Sequence, residues 1–148
     1  MKFGVRQRGY VLVAIAASLM TVGCTDSKIS QCANTIKVVN QAVIDTKNIS
    51  ESGTKGDLQT IAKLVEIFDR SAKDLEGVNV ENEQLKTYKS QFLTMYKGAN
   101  EIGKQLIVSI QEKKSTKVNE GLRKYTSIVS PERDLVTGLN QYCQKSEK

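Results

Sequence analysis

The chain has no histidine, no tryptophan, one proline and three cysteines among its 148 residues. Without histidine it lacks the commonest general base and the commonest ligand of catalytic metals. It also cannot supply the Glu-x-x-His pairs of a di-iron bundle. There is no Cys-x-x-Cys and no haem-attachment run, which removes thiol-redox and c-type haem chemistry. No glycine-rich loop between a strand and a helix is present to cradle phosphate. The 16 carboxylates follow no spacing that separates a catalytic pair from surface charge. We therefore expect no catalytic residue, no metal and no cofactor. Scarce proline, with abundant Lys, Gln, Glu, Leu and Ile, favours helices.

A net charge of +6 suggests a nucleic-acid or membrane binder until it is divided by region. Residues 1–23 hold Lys2, Arg6 and Arg8 and no acid; the remainder carries 19 basic against 16 acidic residues. That remainder is an ordinary mixed-charge surface without a dense basic stripe, so no nucleic-acid partner is expected.

Lys2, Arg6 and Arg8 precede a 13-residue apolar run, Tyr10 to Val22, and then Gly23 and Cys24. Spanning a bilayer as a helix takes about 20 residues, so the pattern reads as a cleaved signal peptide rather than a permanent span. Its end, Thr21-Val22-Gly23-Cys24, resembles the lipobox of bacterial lipoproteins, with Thr21 standing where Leu is usual. The resemblance covers residues 1–24. It implies cleavage before Cys24, a diacylglyceryl thioether on its sulfur and acylation of the new amino group. Residues 1–23 would be signal, 24–29 the lipidated cysteine and a short polar tether, and 30–148 the folded domain. The alternative is an ordinary secretory signal with Cys24 incidental.

With Cys24 assigned to lipid, Cys32 and Cys143 are left as an even pair in an oxidising compartment, and a disulfide between them is expected. The alternative is two free buried thiols.

Apolar residues of the mature chain recur at steps of three and four. The first stretch uses Ile29, Cys32, Ile36, Val39 and Val43 and fades into a Gly/Ser/Thr loop around Gly53. Asp57 is placed to cap the second, which runs Leu58, Ile61, Val65, Phe68, Ala72 and Leu75 to a C-cap at Gly77. The third uses Leu85, Tyr88, Phe92, Met95, Ala99, Ile102, Leu106 and Ile110. The fourth uses Val118, Leu122, Tyr125, Val129, Leu135, Leu139 and Tyr142, interrupted at Ser130-Pro131, where Ser130 can cap and Pro131 can reopen a helix. The expected fold is all-α: an antiparallel up-down four-helix bundle, helix 4 kinked near Pro131. In that topology the start of helix 1 neighbours the end of helix 4, where Cys32 and Cys143 lie. Gly98 and Gly103 inside helix 3 point to close helix approach; room for a ligand beside Met95 or Tyr96 is the alternative.

Helices 3 and 4 read as longer than helices 1 and 2, so their excess falls at the end away from the membrane. That tip carries Leu106, Ile107, Ile110, Val118 and Leu122 with Lys113, Lys114 and Lys117, a candidate surface for a protein partner. It either bends over the ends of helices 1 and 2 or protrudes; for the lysines the alternative is a solvated turn.

The expected function is non-enzymatic: a binding, accessory or structural lipoprotein, anchored through the lipid on Cys24 to the exported face of a bacterial membrane. That face is the periplasmic side of the inner or outer membrane, or the thylakoid lumen in a cyanobacterium. Alternatives are a helical receptor for a small molecule and a cryptic hydrolase. In size, lipobox and helicity the chain resembles small lipidated helical-bundle proteins of cyanobacteria, including the photosystem II accessory subunit of the PsbQ type. The Cys32/Cys143 pair departs from that subunit's pattern.

Overall fold

The computed structural model describes residues 27–53 and 57–145. The signal segment, Cys24 and the residues up to 26 lie outside the described residues, as does the centre of the loop after Gly53. The described chain is all helix and turn: α1 (Lys28–Ser52), α2 (Leu58–Glu76), α3 (Glu83–Gln111), α4 (Ser115–Val129) and α5 (Glu132–Gln144). Helices α4 and α5 together are the expected fourth helix.

Each early helix starts on a polar side chain that accepts from otherwise unpaired backbone N–H groups. Ser27 Oγ accepts from Ser30 N at 3.3 Å, and Asn82 Oδ1 from Leu85 N at 3.0 Å. Asp57 Oδ1 accepts from Gln59 N at 2.6 Å and from Thr60 N at 3.1 Å, so Asp57 is the expected cap. α1 begins at Lys28, inside the expected tether, and its buried face opens at Gln31 and Cys32. Ile29, which we counted in that stripe, is 81% exposed, because it sits in the first turn beyond the packed part of the bundle.

Gly77 is the C-cap of α2, but its φ of −69° is right-handed. The helix therefore stops there without the left-handed conformation that favours glycine. Ser130 also differs from expectation. Pro131 has no N–H to give the Ser127 carbonyl one turn back. The Ser130 hydroxyl donates to that carbonyl instead, at 2.9 Å, and does not cap α5. Ser130 and Pro131 keep right-handed backbone angles, so the helix bends and its apolar phase carries through.

α3 is the central element. It packs most extensively on α2 and then on α4, while α1 lies against α2 and meets α5. Phe92, Tyr96 and Ala99 of α3 are almost fully buried and meet Phe68, Ala72 and Leu75 of α2 and Val39 of α1. The Phe68 ring packs tilted against Tyr96 with centroids 5.8 Å apart and edge-to-face against Tyr125 at 6.2 Å, which joins α4 to this core. Gly98 and Gly103 are close-approach positions. A methyl at Gly98 would lie 2.8 Å from Ile128 Cδ1, and one at Gly103 would collide with Val65 Cγ2.

The two ends of the bundle differ. At one end the Cys32–Cys143 disulfide joins α1 to α5 with 5.7 Å between Cα atoms, closing a separation of 111 residues. Gln31 Oε1 there accepts from Glu81 N at 2.9 Å and Asn82 N at 3.1 Å. Lys89 Nζ clasps the same α2–α3 turn, donating to Glu76 O at 3.0 Å and Val78 O at 2.7 Å. The opposite end holds the C-terminus of α1, the N-terminus of α2 and the α3–α4 turn. There α4 packs on α3 but makes no comparable contact with α1 or α2, and none of its residues is fully buried.

Candidate functional site

Three regions carry the residues singled out in the sequence or emerging from the packing. The first is the disulfide end. Cys32 is 4% exposed and Cys143 half-buried, so both belong to the packed end of the bundle. Lys28 stands over the ring of Tyr142 at 4.5 Å and donates to Lys145 O at 3.0 Å, tying the entry of α1 to the exit of α5. The acidic residues Asp74, Glu76, Glu81 and Glu83 are all exposed around the α2–α3 turn at this end. Glu76 pairs with Lys97 at 2.5 Å and Glu83 with Lys86 at 2.7 Å. No helix among the described residues is long and apolar enough to cross a membrane.

The second region is the α3–α4 tip. Its residues do not form one apolar face. Leu106 is 2% exposed, turned against Gly121, where a methyl would lie 2.7 Å from Leu106 Cδ2. Leu106 therefore belongs to the core and leaves the candidate surface. Ile107, Ile110 and Val118 are half-buried, and Leu122 is 38% exposed. Val108, passed over in the sequence, is the most exposed large apolar residue of α3 at 51%. Lys113, Lys114 and Lys117 are all exposed, and Lys113 makes the turn with a positive φ of 54°. Lys114 pairs with Glu112 at 2.6 Å, and its ammonium holds that carboxyl below the usual range. Lys124 does the same to Glu120 at 2.6 Å. The tip thus presents charge with scattered apolar positions.

The third region is the interior beside the kink. Glu132, in the first turn of α5, is half-buried, and its Oε1 is buried with no hydrogen-bond partner. Burial pushes its carboxyl above the ordinary glutamate range. The hydroxyl of Tyr96, in the centre of α3, is also buried and unpartnered. Burial first, and the nearby Glu132 second, push the hydroxyls of Tyr96 and Tyr125 upward. Two phenols and one carboxyl from three helices thus share a poorly solvated zone. We did not single out Glu132 in the sequence, yet a signal was there. It fills the gap between Val129 and Leu135 in the fourth apolar stripe, at the spacing of a core position.

Among the described residues no group of three or more His, Cys, Asp or Glu side chains could hold a metal ion. Comparison with known proteins finds no match: no family model, no curated protein and no solved structure is significantly similar to this chain.

Proposed function

We propose that the protein is an exported bacterial lipoprotein, held at a membrane surface by acyl chains on Cys24, whose bundle serves as a non-enzymatic binding or structural component of the envelope. The observation that carries this reading is the pairing of Cys32 with Cys143. It accounts for two of three cysteines in the manner of an oxidising compartment and leaves Cys24 to the lipid. Position supports it further. Ser27 caps α1 at the cross-linked end, and only two residues of sequence separate Cys24 from that cap. Ile29, exposed in the first turn, is an apolar contact for a nearby bilayer surface. Several acyl chains at about 0.8 kcal/mol per buried methylene hold such a domain stably.

In this arrangement the α3–α4 tip faces away from the membrane. Lys113, Lys117, Val108 and Leu122 there form the surface offered to a protein partner.

The test is palmitate labelling and membrane fractionation of the full chain and of Cys24→Ser. Loss of label and release of the variant from membranes are expected. A Cys24→Ser protein that stays membrane-bound as the parent does would overturn the anchor.

A further inference from the structure

α1 and α4–α5 are joined at the disulfide end but part at the other, where α4 lies on α3 without comparable contact to α1. Along that seam is a cavity of about 170 Å³, walled by Ile61, Leu64 and Val65 of α2, Leu106 of α3, and Leu122 and Tyr125 of α4. We propose that this cavity is a binding site for a small uncharged apolar group, the size of one aromatic ring or a short stretch of hydrocarbon chain.

Size is the first argument. Protein interiors are close-packed, with few voids larger than a water molecule. A cavity of about 150 Å³ lined by aliphatic and aromatic side chains stays dry and takes up benzene. The seam cavity is of that order and that lining.

Polarity is the second. The wall holds no ionisable side chain other than Tyr125, whose hydroxyl is held neutral by burial. Its two side-chain hydroxyls besides Tyr125 are already engaged. Ser50 donates to Thr46 O at 2.8 Å and Thr60 to Asp57 Oδ2 at 2.6 Å. The buried side-chain polar atoms left without partners among the described residues belong to Thr46, Tyr96 and Glu132, none of them in the wall. A trapped water needs two to four polar partners and finds few here, whereas a hydrocarbon loses nothing by entering. Access is the third argument: Leu122 is 38% exposed while lining the cavity, so a guest reaches it from solvent without opening the core.

The site stands whether or not Cys24 carries lipid, since it lies at the end of the bundle away from Ser27 and the disulfide. Its guest could be a free ring compound or the tail of a lipid, and two probes separate these. The full chain, with labelled Ile, Leu and Val methyls, is titrated with benzene and with dihexanoyl phosphatidylcholine below its micelle concentration. Saturable shifts confined to Ile61, Leu64, Val65, Leu106 and Leu122 are expected with benzene; the same shifts with the lipid extend the site to acyl tails. Leu122→Trp fills the mouth and should weaken benzene binding by about tenfold or more. Ile44→Trp, on the exposed side of α1 and outside the cavity wall, should leave it unchanged. Leu64→Phe fills the same space from α2 should Leu122→Trp fail to fold. Benzene shifts that do not saturate, that spread beyond the wall, or that persist in the filled variant overturn the proposal.

Discussion

Tyr142, near the end of α5, donates its phenolic hydrogen to Asn82 Oδ1 at 2.8 Å, across 60 positions of chain. The same oxygen accepts from Leu85 N and caps α3, the helix on which α2 and α4 pack. One side chain therefore both starts the central helix and docks the last one. Gln31 braces the backbone N–H of Asn82 from α1, so three helices meet on a single residue.

Asn82→Ala should accordingly cost more than a lone cap. A lost cap is worth about 0.5–2 kcal/mol, and a stranded partly buried hydroxyl about 1 kcal/mol more. Tyr142→Phe removes only the second contribution. Urea unfolding of both variants and of the double variant should show Tyr142→Phe nearly silent in the Asn82→Ala background. Additive losses would mean that the bond does not couple the two helices.

The disulfide closes this same end. In the chain-entropy account a loop of about 100 residues corresponds to roughly 4–5 kcal/mol, with measured values often lower. Reduction, or Cys32→Ser with Cys143→Ser, should lower the unfolding free energy by about 2–5 kcal/mol. Far-UV dichroism should stay helical, because the stripes packing α1, α2 and α3 do not depend on the bridge. Free thiols at both positions in the purified, unreduced protein would contradict the pairing.

The helices were legible in the sequence because they rest on local rules, and the bridge because setting Cys24 aside leaves Cys32 and Cys143 as an even pair. Asp57 caps where a carboxylate precedes an apolar period, and Leu85, Phe92, Tyr96 and Ala99 keep a helical step on the buried face of α3. What was not legible depends on how helices lie against one another. Leu106 has the same periodic position as Ile110, yet only the contact with Gly121 makes it core. The seam cavity arises from contact that α4 does not make with α1, which no periodicity records. Ser130 could cap forward or repair backward, and the carbonyl orphaned by Pro131 decided for repair.

Gly103 tests the packing of α2 on α3 directly. A Cβ there would run into Val65 Cγ2, a branched side chain with little freedom to move on a helix. Gly103→Ala gains helix propensity of about 1 kcal/mol but overpacks the contact, at a cost of about 1–3 kcal/mol. Net destabilisation is expected in thermal or urea melts. Val65→Ala should reverse its sign, so that Gly103→Ala becomes stabilising in that background. A Gly103→Ala protein more stable than the parent would show that the helices have room to part.

Glu132 makes stability depend on pH in an unusual direction. Burial raises its carboxyl pKa, and the groups sharing its surroundings, Tyr96 and Tyr125, are neutral phenols rather than cations. As pH rises above the ordinary glutamate value of 4.5, the unfolded chain releases this proton before the native one does. In that interval the native state binds more protons, so stability falls with rising pH until the native carboxyl has also ionised. The stabilising share of Glu132 is thus fully present below pH 4.5 and lost above its native pKa. Glu132→Gln keeps the shape of the protonated acid without the charge. It should match the parent at low pH, exceed it at pH 7, and flatten this part of the profile. The comparison is the difference between the two melting curves across pH 4 to 8, about the span over which a raised glutamate titrates. A constant difference would mean that Glu132 ionises in the folded protein as freely as in water.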